Sequence, residues 1–170
     1  MPRPLDLPFD PIERAGELWE QHFGPAGAMR VATSIMRAQQ LLIVRFDAIL
    51  KPHGLTFPRY EALVLLHFSR AGELPLSVIG QRLMVHPTSV TNTVDRLEAQ
   101  GLVQRRPNPR DGRGVLARLT DDGRGVVEAA TRDLMEDGFG LSAYEPDQLH
   151  DLSGLLRLIR VDAGDFRDPE

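Results

Sequence analysis

The stretch LPLSVIGQRLMVHPTSVTNTVDRLEAQGLVQRRPNPRDGRGVLARLTDDG, residues 74–123, decides the fold. Its opening predicts a helix from about Leu76 to Met84 that buries Val78, Ile79 and Leu83, with a turn at Val85 and His86. Pro87 then starts a second helix: its fixed φ suits the first helical position, where the N–H it lacks would have no partner anyway. In that helix Val90, Val94 and Leu97 recur at spacings of four and three. At about 100° per residue they form one inward stripe. The opposite face carries Thr88, Ser89, Thr91, Asn92, Asp95 and Arg96. Leu102, Val103 and Gln104 lead out as a strand, and Pro107 to Gly114 supplies turn chemistry. Val115, Ala117 and Leu119, alternating with Leu116 and Arg118, read as the returning strand.

This is the pattern of a winged helix-turn-helix. Short polar side chains suit a helix inserted in a DNA major groove, because bulky ones would hold its backbone away from the base edges. Asn92 can pair bidentately with adenine, and Thr88, Ser89 and Thr91 can bond bases or phosphates. Pro87 opens the same surface, and Arg96, toward one flank, is expected to meet phosphate. A merely solvated helix would show the same polarity, so the hairpin that follows carries the distinction. An arginine at a hairpin tip can enter a narrow minor groove, where negative potential is enhanced. Arg113 is the candidate for that role and Arg110 for a phosphate contact, with Asp111 orienting an arginine by a charge-assisted hydrogen bond. A charged, solvated hairpin is the alternative for this segment.

Charge distribution favours the DNA reading. The net charge of −4 argues against a polyanionic partner when the chain is taken whole. From Pro75 to Leu119, however, seven arginines face three acidic residues, a local +4 that leaves −8 for the remainder. Such asymmetry orients a protein on nucleic acid.

Outside this stretch the sequence predicts helices. The proline-rich first nine residues are expected to be disordered. Asp10 reads as an N-cap, with Pro11 at the first helical position and Glu13 completing a capping box, for a short helix ending near Phe23. A long helix fits Ala28 to Leu50, its apolar set too broad for burial on one side only. Thr56 is expected to cap a helix from Phe57 to Ser69, with His67 in the core and Gly72 and Glu73 in a loop. Thr120 caps another through about Asp137, and Pro146 opens a last one to about Asp162 with Leu149, Leu152, Leu155, Leu156 and Ile159 on one side. The division that follows is an N-terminal extension over 1–27, a dimerisation helix over 28–55, the DNA-binding domain over 56–123 and completing helices over 124–170. The expected fold class is mainly α with a small β wing, flanked by N- and C-terminal helices that interleave in a two-fold homodimer.

HPTSVTNTVDRLEAQGLV followed by RRPNPRDGRGVLARLTDDG resembles the MarR family of bacterial transcription regulators, over roughly Ala28 to Asp162. The resemblance implies a homodimer on a palindromic double-stranded operator, each wing arginine in the minor groove, and a small effector that releases the DNA. Many relatives carry Arg where this chain has Asn92, and a Ser or similar cap where it has His86. The extension with Trp19 also resembles the urate-responsive branch, which implies an effector site with Glu61 and Arg105; a second arginine of that branch is Thr93 here. A generic anionic or aromatic effector therefore stands ahead of urate. Packing of the extra helix is the competing role for Trp19.

Several classes are disfavoured. Absence of cysteine removes disulfides, thiolate metal sites and thiol redox sensing. The five histidines lack metal-binding spacings, and Gly112-x-Gly114 and Gly123-x-Gly125 lack the strand and helix context of a phosphate loop, so neither a metal, a cofactor nor an enzyme is expected. Arg37, Gln39, Gln40, Arg45 and Asp47 interrupt the most apolar segment, arguing against a membrane span, and with no signal-peptide pattern a cytoplasmic location is expected. The main alternative is an architectural protein that binds DNA without sequence preference.

Overall fold

The computed structural model describes residues 5–109, 111 and 114–167. In chain order it contains α1 (Pro11–His22), α2 (Gly27–Leu50), a 3-10 turn (Lys51–His53), α3 (Phe57–Phe68), β1 (Glu73–Pro75), α4 (Leu76–Leu83) and α5 (Pro87–Ala99). There follow β2 (Val103–Pro107), β3 (Val115–Leu119), α6 (Asp121–Glu136), a second 3-10 turn (Gly138–Gly140) and α7 (Pro146–Asp162). The protein is thus mostly helical with a small antiparallel sheet. No helix among the described residues is long and apolar enough to cross a membrane.

Helix starts follow the local chemistry with two exceptions. Asp10 accepts the Ile12 N–H at 2.8 Å, Thr120 accepts that of Gly123 at 2.9 Å, and Glu145 forms a reciprocal capping box with Gln148. Glu13, expected to close a box with Asp10, pairs with Arg30 of α2 instead, at 3.1 Å. Thr56 makes no side-chain cap, and the Phe57 N–H is taken at 2.8 Å by Asp47 of α2. At Glu13 a tertiary ion pair replaces the local bond, whereas the Thr56 hydroxyl oxygen accepts from Arg59 Nε at 3.2 Å.

The sheet order is β1-β3-β2, all antiparallel, with Glu73 opposite Arg118 and Val103 opposite Leu119. Glu73 therefore lies in an edge strand, not a loop. Three residues ending in proline offer no periodicity to read, and their order comes from pairing with β3. Flanked by two strands and packed by α3 and α4, β3 buries Leu116 as well as Ala117 and Leu119 and exposes Val115. The strict alternation expected of this strand fails there because more than one of its sides is covered.

The core gathers Phe46 and Leu50 from α2, Leu63 and Leu66 from α3, Ile79 from α4, the α5 stripe, Val103 from β2, and Val127, Ala130 and Leu134 from α6. His67 is not in it. One residue past Leu66 it turns out of the buried side, half-exposed, with Nδ1 3.5 Å from Arg124. Near the start of α6, Gly123 is obligatory for a different reason: a Cβ there would overlap the carbonyl oxygen of Leu102. That same oxygen accepts the Thr120 N–H at 3.1 Å. At the other end of α6, Asp137 receives Arg45 of α2 in a two-pronged contact and accepts the Gly140 N–H at 2.8 Å. The guanidinium holds the Asp137 carboxyl below its usual range.

Helix α1 packs on α2. Arg30 lies over the buried Gly16 and reaches Glu13 and, at 2.6 Å, Glu20. A methyl at residue 16 would meet the guanidinium head directly. Gly16→Ala improves intrinsic helix propensity, so an α1 that were merely a local helix would gain order. The guanidinium can swing aside to admit that methyl, so the contacts are tested by removing them: hydrogen exchange at α1 amides is expected to accelerate several-fold in Arg30→Ala, with α3 to α6 unchanged.

Candidate nucleic-acid interface

The α4–α5 unit is built on a close crossing. Gly80 is buried, and a Cβ on it would come within 3.2 Å of Val90 and 3.4 Å of the Val85 carbonyl. Helix α4 stops at Leu83, one residue before the expected end, because Met84 takes the left-handed conformation (φ 55°). Its N–H bonds back to Gln81 and Gly80, and the Val85 N–H bonds to Gly80 at 3.0 Å. A left-handed cap satisfies helix-end carbonyls that would otherwise be orphaned. His86 then caps α5, its Nδ1 accepting the Thr88 N–H at 3.3 Å.

Helix α5 buries Val90, Val94 and Leu97 at 3% exposure or less. Pro87, Thr88, Ser89, Thr91, Asn92, Asp95 and Arg96 are all exposed, and Thr93 is half-buried. Thr91 donates its hydroxyl to the Pro87 carbonyl at 3.2 Å, which turns its methyl and lone pairs outward. Among the described residues the Asn92 carboxamide and the Arg96 guanidinium have no intramolecular partner. With Asp95 and Ala99 they line a shallow depression of about 480 Å³. The surface therefore offers bidentate, hydroxyl and cationic groups with little desolvation of its own to undo.

The wing rises beside this face. At its tip Asn108 and Gly114 pair through the backbone at 2.9 Å, and Asp111 is anchored by bonds from Gly114 (2.8 Å) and to Asn108 (3.2 Å). Arg110 and Arg113, assigned to phosphate and minor groove, lie outside the described residues. Along the strands Arg106 and Arg118 are exposed, two cations that the reading of the tip passed over. Their signal was present in the alternation of the strands, which puts every second residue on the outer side.

The three residues expected to hold an effector are not brought together within the subunit. Trp19 sits on α1, its ring 5.0 Å from that of Phe23. Glu61 is half-buried on α3, and burial raises its carboxyl pKa. Arg105 is engaged with α5: its N–H donates to Glu98 at 2.9 Å, Nη1 to Asp95 and Glu98, and Nη2 to the Thr91 carbonyl at 3.3 Å. The groove of about 320 Å³ between α3 and α6, with Tyr60, His67, Phe68 and Arg132 on its walls, contains none of the three.

With this geometry in place, the likeness to known proteins is informative. Residues 53–114 match the model of the MarR family. Sco5413, a MarR family transcriptional regulator from Streptomyces coelicolor, is 62% identical in sequence, with a TM-score of 0.77 over 83% of this chain and 98% of that one. Sco3205, a MarR family regulator of the same organism whose crystal structure is in complex with DNA, is 26% identical, with a TM-score of 0.73 over 82% and 88%. YhbI of Bacillus subtilis, an HTH-type transcriptional regulator, is 30% identical over 129 residues, 76% of this chain and 77% of its own.

Glu61 provides a test by titration. A carboxyl whose folded pKa lies above its unfolded value weakens the fold as pH rises through and beyond the usual carboxylate range. Glu61→Gln is therefore expected to melt higher than the native protein at neutral pH, the difference closing as pH falls below that range. Equal melting temperatures across the titration would contradict the burial effect.

Proposed function

Since this chain belongs to the MarR family of transcriptional regulators, we propose that it is a sequence-specific regulator that binds a palindromic operator as a homodimer and responds to a small ligand. The observation that carries this is α5: an apolar stripe buried on one side, and on the other a face of short polar residues around the unpartnered Asn92. In this reading Asn92 reads a base, Thr88, Ser89 and Thr91 contact bases or backbone at the Pro87 end, and Arg96 meets phosphate. Arg113 enters the minor groove, Arg110 contacts phosphate and Asp111 orients an arginine.

Uncovered apolar surface supports the homodimer. Most of α2 is exposed in the subunit, with Val31 58% and Met36 61% accessible, and α7 buries no residue, with Leu155 65% and Leu158 61% accessible. Ile35 of α2 and Leu152, Leu156 and Ile159 of α7 line a common groove of about 490 Å³. Apolar surface of this extent on two helices marks an association site. The dimerisation role of residues 28–55 and 124–170 rests on it, whereas the DNA-binding role of 56–123 rests on the outer face of α5. An anionic or aromatic effector contacting Trp19, Glu61 and Arg105 together requires an arrangement different from that within one subunit.

Competition binding separates this reading from an architectural one: comparable affinity for random duplex and for duplex selected by the protein, at one salt concentration, would contradict sequence-specific recognition. Asn92→Ala is expected to relax base preference by about 1 to 3 kcal/mol at one position per half-site. Arg113→Ala should weaken binding to all sequences and flatten its salt dependence. Mass measurement in solution is expected to return a dimer, and distance measurement between labels on the two copies of α5 should place the recognition helices about 34 to 36 Å apart. Introducing Asp at Leu155 and Leu158 together should shift that dimer to monomer.

A further inference from the structure

We propose that Arg105 is a positioning residue of the reading surface, holding the carboxylates of Asp95 and Glu98 against the root of the wing so that their charge does not oppose DNA. The inference rests on α5 being the helix that meets DNA. Arg105 alternates with Gln104 and Arg106 along β2, and shares with Val103 the side of the strand toward α5. It is the only arginine of the wing strands that is half-buried, and it makes contacts to three residues of α5.

The need for such a residue follows from where the acids lie. Asp95 is one helical turn from Asn92, within the same depression as Arg96, and Glu98 follows three residues later. Two of the three acidic residues of the basic stretch from Pro75 to Leu119 are therefore on the reading helix. Left unpaired, each would repel any phosphate docked within the screening length of about 8 Å. Arg105 removes the difficulty by pairing both carboxylates from behind. Its bond to the Thr91 carbonyl also fixes the angle between the wing root and α5, since one planar guanidinium spans three residues of the helix. Arg105 acts through Asp95 and Glu98 and touches no DNA.

The test uses a duplex that the native full-length protein selects from random sequence, with affinity and its salt dependence measured for three variants. Arg105→Gln is expected to lose about tenfold or more in affinity, the order of effect of exposing two charges near phosphate. Adding Asp95→Asn and Glu98→Gln to it should restore affinity to within about threefold of native, with the native salt slope. A triple variant as weak as Arg105→Gln would overturn the proposal, as would a single variant that binds like the native protein. Should Arg105→Gln fail to fold, Asp95→Asn with Glu98→Gln on its own decides: releasing Arg105 should raise affinity for every duplex and steepen the salt slope, and no change would overturn the proposal. Failure of the native protein to select any sequence would instead contradict the regulator reading itself.

Discussion

The reading surface depends on the burial of three side chains, Val90, Val94 and Leu97, in one narrow stripe of α5. A helix with a single buried stripe has no rotational freedom about its axis, because turning it would expose that stripe and bury hydroxyls and amides without partners. Gly80 brings α4 close enough to seat Val90, and the left-handed Met84 makes the turn tight enough for α5 to start at once. Everything that faces outward follows from what is held inward. Asn92 and Arg96 are presented because Val94 and Leu97 are not.

Much of this was legible in the sequence because the physics involved is local. Proline at a first helical position, an aspartate or threonine cap and the four-three spacing of the α5 stripe each depend on residues a few positions apart. What escaped depends on distant partners. Nothing around Glu73 announces a strand, since β1 exists only by pairing with β3 some forty residues later. Thr56 has a good capping residue's chemistry, yet its hydroxyl oxygen accepts from the Arg59 side chain, and Asp47 of another helix meets the Phe57 N–H. Arg105 reads as an unattached cation until the sheet turns it toward Asp95 and Glu98. Charge counted along a chain does not reveal which charges cancel.

The subunit divides its apolar residues unevenly. The α3 to α6 region encloses a well-filled core, whereas α1, the front of α2 and α7 leave Trp19, Met36 and Leu155 in the open. Membership of the MarR family places these observations in one frame: a compact reading unit, and helices whose own packing is incomplete. The end of α2 joins the two parts through apolar packing, with Phe46 and Leu50 in the core, and through polar contacts. Arg45 of α2 with Asp137, and His53 of the 3-10 turn that follows α2 with Asp133 at 2.7 Å, add directional contacts to α6.

Gly123 gives that arrangement a mechanical character. Where a side chain would intervene between two elements, a displacement can be absorbed by a change of rotamer. Here the first turn of α6 rests on the Leu102 carbonyl with only a hydrogen atom between them, and backbone has no rotamers. The separation between the first turn of α6 and the residue that leads into β2 is therefore set by backbone alone, with no side chain able to adjust it.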